Sequence, residues 1–214
     1  MFKKTLFFFG LLTLFFLVGC ERDPLPSKNF FIRTPQERYA QVAKLKYWQT
    51  LGVISIQQTG EKPVIAEFYW NVMNQSYRIR LTSVLGLFRI EICRAFGSIK
   101  LWKNSTLVYT AKTPEGLLQK TMGWTIPISQ LQAWIKGIPA PQKKGLYYVK
   151  YDQFGHLIGL KQDGWSVQYS AYKKTEQGID FPQIITMTRP GLAVKLVIKE
   201  WTLLNDYLPM WEAT

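Results

Sequence analysis

One histidine and two cysteines stand in the 214 residues. That scarcity leaves no ligand set for a structural or histidine-rich zinc centre. Acid is scarce too, 14 Asp and Glu against 27 Lys and Arg, and the formal charge of +13 points to an acidic partner: nucleic acid, anionic lipid or protein. There is no Gly-x-Ser-x-Gly elbow, no glycine-rich phosphate loop, no His-Glu-x-x-His and no Cys-x-x-Cys. His156 follows Asp152-Gln153-Phe154-Gly155 and reads as an exposed hairpin-turn histidine in preference to a catalytic base. The scattered carboxylates single out no pair for glycosidase chemistry. Cys93 falls opposite the apolar register of a strand and reads as a small packed residue, not a nucleophile. The chain carries no legible enzyme constellation.

What is present is a folding composition, 47% hydrophobic and 15% aromatic, in a length that suits one domain. Residues 1–19 have the layout of a signal peptide: Lys3 and Lys4, then an apolar run from Thr5 to Val18. A run of about 14 residues is short of the roughly 20 a spanning helix needs. Leu17-Val18-Gly19-Cys20 resembles a bacterial lipobox, which implies cleavage before Cys20 and a lipid on its thiol; the alternative is an ordinary secreted protein. In that compartment a nucleic-acid partner loses its appeal, and a lipidated Cys20 leaves Cys93 without a disulfide partner. Glu21 stands where Asp marks inner-membrane retention in enteric-type sorting, so outer-membrane delivery is expected.

Residues 20–33, with Pro24 and Pro26, read as a tether. Thr34-Pro35-Gln36-Glu37 is a capping box with proline at the first helical position, and Tyr39, Val42 and Ala43 are expected on the buried face of its helix. From Trp48 the period becomes two. Val64 to Val72, Tyr77 to Thr82 and Phe88 to Ile92 alternate apolar with polar residues, and shorter runs follow at Ile99 to Trp102 and Leu107 to Ala111. Two short helices are expected next, one from Thr113-Pro114-Glu115 carrying Leu117, Leu118 and Met122, and one capped by Ser129 carrying Leu131, Trp134 and Ile135. Strands then return around Tyr147 to Tyr151, His156 to Gln162, Trp165 to Tyr172, Gln183 to Thr188 and Ala193 to Trp201, with Asp163-Gly164 as a hairpin turn. About ten strands and three short helices predict an antiparallel sheet curved into a barrel or half-barrel, with helices on its concave side or across its mouth.

The order Gly123-Trp124-Thr125-Ile126-Pro127-Ile128, then Leu131, Trp134-Ile135 and Gly137-Ile138-Pro139, resembles the central signature of the LolB family of outer-membrane lipoprotein receptors. Trp48, Leu51-Gly52, Phe68, Trp70, Tyr77 and Leu85-Gly86 upstream, and Gly164-Trp165, Tyr169, Phe181-Pro182, Lys195-Leu196 and Trp201 downstream, continue it from about Ala40 to Trp201. Two features depart: Ser83-Val84 stands where the family often has Asn-Pro, and residues 203–214 extend beyond the usual end. The resemblance implies a mainly β fold with short α-helices, an incomplete antiparallel β-barrel of about ten to eleven strands with a helical lid over an apolar cavity, spanning residues 34–202. It also implies a lipid-anchored, periplasm-facing monomer of the outer membrane that takes acylated lipoproteins from a LolA-like carrier and inserts them into outer-membrane lipid. No enzyme activity, nucleic-acid partner, metal or cofactor beyond the lipid on Cys20 is implied. The competing expectation is a lipid-anchored carrier or sensor of free lipid, or of another apolar ligand, on the same half-barrel.

Three groups of residues carry the site expectations. Phe68, Trp70, Tyr77, Ile79, Leu81, Ile90, Leu118, Met122, Trp134, Ile135, Val167 and Tyr169 are expected to line the acyl cavity, the alternative being a dry, closed core. Arg78, Arg80, Arg89, Lys100, Lys143 and Lys144 are candidates for a basic surface meeting the carrier or lipid headgroups, the alternative being a merely solvated face. Val84-Leu85-Gly86-Leu87 joins two strongly alternating strands, and an apolar turn tip is unusual unless it meets something apolar. In the LolB family an exposed apolar residue at the position of Leu85 is thought to assist membrane insertion; the alternative is that Leu85 folds back onto the core.

Overall fold

Tyr47–Gln58 alternates buried and half-buried side chains along almost its whole length, and this strand, β1, is the hub of the molecule. The computed structural model describes residues 30–115, 118–119, 123, 125–141 and 148–204. After β1 come β2 (Val64–Met73), β3 (Ser76–Ser83), β4 (Arg89–Ala95), β5 (Ser98–Lys103) and β6 (Thr106–Ala111), then β7 (Tyr148–Tyr151), β8 (Leu157–Gln162), β9 (Trp165–Lys174), β10 (Asp180–Arg189) and β11 (Leu192–Leu203). They form one 11-stranded sheet in the order β6-β5-β4-β3-β2-β1-β11-β10-β9-β8-β7. Every pairing is antiparallel. Among the described residues β6 and β7 are not paired to each other, so the sheet is open.

The period-two pattern explains the layers. Ala66, Phe68, Trp70 and Val72 of β2 are buried while Glu67 is exposed and Tyr69 and Asn71 are half-buried; Tyr77, Ile79 and Leu81 of β3 face the same way. A one-residue slip would turn these whole sets to solvent, so the register is fixed by burial. The turns agree with it. Asn74 (φ 59°) begins the two-residue β2–β3 turn, and Asp163 with Gly164 (φ 50° and 77°) makes the β8–β9 turn in the left-handed conformation such hairpins need.

Two helices are complete among the described residues. The first, α1 (Pro35–Ala43), starts with the expected capping box: Thr34 Oγ1 accepts from the Glu37 N–H at 3.2 Å, and Glu37 Oε2 accepts from the Thr34 N–H at 2.8 Å. Its buried face differs from the expected one. Arg38 and Val42 turn inward while Tyr39 and Ala43 are exposed, because Arg38 has a buried carboxylate partner in β10. The second, α2 (Ile128–Trp134), packs on the sheet's buried face. Its N-cap is Pro127, not Ser129, and the Ser129 N–H donates to Glu115 Oε1 at 3.1 Å, so the cap comes from the preceding segment. Residues 114–115 and 118–119 are helical, as expected there; Met122 lies outside the described residues.

Candidate functional site

The buried face of the sheet and the segment carrying α2 enclose an apolar cavity. Ile54 of β1, Phe68 and Trp70 of β2, Ile79 and Leu81 of β3, Ile92 of β4 and Leu196 of β11 form one wall; Leu118, Ile126, Ile128 and Leu131 form the other. Its free volume is about 40 Å³. That is room for a few waters, far below the roughly 300–1,000 Å³ of a filled ligand pocket.

The buried Gln162 amide ties the helical segment to the sheet. Gln162 Oε1 accepts from the Trp134 indole N–H at 2.8 Å and from the Ala140 N–H at 3.1 Å, while Gln162 Nε2 donates to the Ala140 carbonyl at 2.8 Å. Gln162 is buried, so all three bonds form out of water. Lys136, also buried, donates from Nζ to the Val42 carbonyl of α1 at 3.4 Å, and burial pushes its amine down to about 8.

Of the expected lining residues, the structure brings Phe68, Trp70, Ile79, Leu81 and Leu118 to the cavity. Tyr77, Ile90, Trp134, Ile135, Val167 and Tyr169 are buried in the continuous core around it and do not line it. Ile54, Ile92, Ile126, Ile128, Leu131 and Leu196 line it without having been named. Ile92 shares the parity of Ile90, and Leu131 the helix face of Trp134, so the signal was there; what parity cannot tell is which part of a long inward face the helices cover.

The β3–β4 connection is an exposed apolar tip. Leu85 is 81% exposed, with Val84 and Leu87 beside it at 65% and 76%, so Leu85 does not fold back onto the core. Ser83 closes the loop below: its N–H donates to the Phe88 carbonyl at 3.0 Å, its Oγ accepts from the Phe88 N–H at 3.1 Å, and its carbonyl accepts from the Gly86 N–H at 2.9 Å. Gly86 has φ +69°, which suits a residue without Cβ.

The outer face of β3–β5 carries the expected basic side chains, in two states. Arg78 and Arg80 share one carboxylate, with Nε at 3.3 and 3.5 Å from the Glu91 oxygens, whereas Arg89 and Lys100 are exposed. Cys93 is half-buried on this face, opposite Arg78 and Lys100, and burial pushes its thiol up. Lys143, Lys144 and Cys20 lie outside the described residues.

His156 corrects the sequence reading. It is 1% exposed, not a solvated turn residue. Nδ1 lies 2.9 Å from Asp152 Oδ2 and Nε2 lies 3.2 Å from Asp180 Oδ2. Arg38 of α1 completes the cluster, with Nη1 3.5 Å from Asp180 Oδ2 and a second nitrogen donating to the Asp180 carbonyl. Burial disfavours the charged imidazole, but the bonds to both carboxylates outweigh it and the pKa rises. The same imidazole holds the Asp152 carboxyl low against the opposing effect of burial. The cluster ties α1 to β10 and to the β7–β8 loop, which is a structural task.

The family model described as "Outer membrane lipoprotein LolB" matches residues 46–201. The outer-membrane lipoprotein LolB of Coxiella burnetii (strain RSA 493 / Nine Mile phase I) is 38% identical over 186 residues, 86% of each chain. That of Aeromonas salmonicida (strain A449) is 31% identical over 201 residues, 92% of this chain and 96% of its own. Among solved structures, a DUF1329 family protein from Desulfovibrio piger superposes with a TM-score of 0.52 at 12% identity, over 81% of this chain and 92% of its own, a likeness of fold alone. With the family match spanning β1 to β11 and close relatives covering most of both chains, this chain belongs to the LolB family of outer-membrane lipoproteins.

Proposed function

We propose that this protein is the receptor that accepts acylated lipoproteins from a LolA-like periplasmic carrier and inserts them into the outer membrane. It works as a monomer held to that membrane through a lipid on Cys20, after removal of residues 1–19, with residues 20–33 as tether and 34–202 as the binding domain. It does no covalent chemistry and needs no cofactor beyond that lipid. Among the described residues no helix is long and apolar enough to cross a membrane. The observation that carries the reading is Leu85 at 81% exposure, on a tip with no core to pack against, beside a sheet whose other face is mainly apolar.

The energetics favour such a relay. Three acyl chains of about 16 carbons, at about 0.8 kcal/mol per methylene, cost about 35–40 kcal/mol to expose to water. Passing them between two apolar cavities cancels most of that cost, and a difference of about 1.4 kcal/mol then gives a tenfold bias in direction. The cavity's free volume of about 40 Å³ is too small for such chains. Loading therefore requires the helical wall of Leu118, Ile126, Ile128 and Leu131 to move off the sheet, exchanging its contacts for those of the cargo. The apolar tip then enters the bilayer and gives the chains a dry exit.

The test mixes carrier-bound lipoprotein with the full chain anchored in vesicles and follows the cargo. Cargo leaving the carrier and becoming resistant to alkaline extraction from the vesicles is the expected result. Cargo that stays with the carrier while small lipids copurify with the chain would overturn it in favour of a free-lipid carrier.

A further inference from the structure

Four indole or phenol donors, those of Trp70, Tyr77, Tyr169 and Trp201, are buried without a partner, and the first two stand together. Trp134 Nε1 reaches Gln162 and Tyr172 Oη reaches the Leu157 carbonyl, but Trp70 Nε1 and Tyr77 Oη are buried without a hydrogen-bond partner. The residues are only 3% and 2% exposed. Each such group keeps its desolvation penalty when left unpaired out of water, so neither is neutral for stability.

Their positions relate them. Val72 pairs with Tyr77 and Trp70 with Ile79 across β2 and β3, which puts Trp70 and Tyr77 one diagonal step apart on the inward face. Their ring centroids are 6.4 Å apart in an edge-on arrangement, and Trp70 itself lines the apolar cavity. Chemistry then narrows the ligand. An indole N–H can only donate, and a phenol buried this deeply is pushed far up in pKa and keeps its proton. Two unpaired donors, Trp70 at the wall of a cavity otherwise made of hydrocarbon and Tyr77 packed edge-on behind it, match an uncharged acceptor on an apolar molecule once the helical wall has moved.

Resting on the lipoprotein-receptor reading, we propose that Trp70 Nε1–H and Tyr77 Oη–H recognise the ester carbonyls of a diacylglyceryl group, so that the cavity reads the head of the lipid as well as its chains. The hydrocarbon supplies affinity without discrimination. The carbonyl bonds fix how deep the glyceryl head sits and favour ester-linked over ether-linked lipid. The unpaired donors are then a penalty of the unloaded protein that loading removes.

The test uses the full chain in dodecyl maltoside micelles with two matched probes, an S-dipalmitoylglyceryl-cysteine peptide and its S-dihexadecylglyceryl ether analogue. A second matched pair, diacyl and dialkyl phosphatidylcholine, separates the cargo's lipid from membrane lipid. The expected result is at least tenfold tighter binding of the ester peptide than of the ether peptide, with the infrared band of its ¹³C-labelled ester carbonyls moving to lower wavenumber on binding. The phosphatidylcholine pair should show a smaller preference. Tyr77→Phe keeps the ring and removes only the donor, so it should fold with an unchanged or higher thermal midpoint; Trp70→Phe removes the donor together with one ring of the indole and should lower the midpoint while the protein still folds, and the double variant should bind ester and ether alike. Equal binding of ester and ether by the unaltered protein, or a preference that survives the double variant, overturns the proposal and leaves the receptor reading standing. An equal or larger preference within the phosphatidylcholine pair would assign the donors to membrane lipid and overturn the cargo assignment. Binding of neither peptide removes the acyl-cavity reading itself and this inference with it.

Discussion

The imidazole of His156 lies flat against the phenol of Tyr172, ring centroids 4.2 Å apart and planes within 10°, while Asp152 and Asp180 hold its two nitrogens. Phe30 closes the edge at 4.8 Å, and Arg38 faces the same carboxylate as Nε2. The folded state therefore holds the imidazole proton more tightly than the unfolded chain, whose value is 6.5. The stability this contributes is fully present below about pH 6.5 and is lost as pH rises through the higher folded value. Asp152 acts in the opposite direction: its contribution is present above 3.8 and is lost as pH falls through its depressed folded value. The thermal midpoint should begin to fall as pH rises above about 6.5, before the window near and above about 8 in which the depressed Lys136 amine acts in the opposite direction, and His156→Gln should flatten that initial slope while lowering stability by about 3 kcal/mol. An unaltered slope in the variant would assign the pH dependence elsewhere.

Gly52 has no room for a side chain. It stands at the bulge where β1 slips against β11, and a Cβ there would meet the Val197 carbonyl oxygen, with Phe68 Cε1 at 2.8 Å and the Ile198 Cα at 3.0 Å. Two of these three are backbone and cannot rotate away. Gly52→Ala should cost about 2–4 kcal/mol in urea unfolding, at the upper end of single substitutions. Gly86→Ala is the contrast: nothing lies within 4 Å, so its cost is confined to the backbone conformation.

Leu85→Glu should leave the urea midpoint within about 0.5 kcal/mol of the unaltered protein, because an exposed side chain has little burial to lose. Cargo should still leave the carrier, and its entry into vesicles should slow at least tenfold. Delivery at the normal rate would show that the tip takes no part.

Charge on the β3–β5 face is testable by salt. Arg78 and Arg80 already share Glu91, so Arg89 and Lys100 have the most to offer a partner. Charge steering chiefly raises association rates and is screened over a Debye length of about 8 Å at physiological ionic strength. Transfer from carrier to receptor should slow as salt rises from about 10 to 150 mM, and Arg89→Glu with Lys100→Glu should slow it further at low salt. A rate flat in salt would remove this face from the encounter.

Strand positions were legible because they depend on local alternation. Val64 to Val72 and Tyr77 to Thr82 needed only their own residues and a turn between them. Arg38 was not singled out and His156 was misread for the opposite reason. Nothing near Arg38 marks it as buried, since its partner Asp180 lies 142 residues away, and His156 sits in a stretch whose composition is that of a solvated turn. The cavity fell between these cases. Its sheet wall follows from parity, which puts Phe68, Trp70, Ile79 and Leu81 on the inward face, but the part of that face covered by Ile126, Ile128 and Leu131 is decided by where the helical segment crosses it.

The strand at the centre of the sheet pairs with the last of the described strands: Trp48 opposes Leu203 and Gln58 opposes Leu192. A chain that emerges N-terminus first presents β1 long before its partner exists. Each half can form as a run of local hairpins, β1 to β6 and β7 to β11, but the seam between β1 and β11 closes only after nearly all of the polypeptide is free. Closing so long a loop is slow, and the apolar inner edge of each half stays open meanwhile. Closure of this seam is thus a late event, and the interval before it is when the chain is most exposed to proteases and holding chaperones.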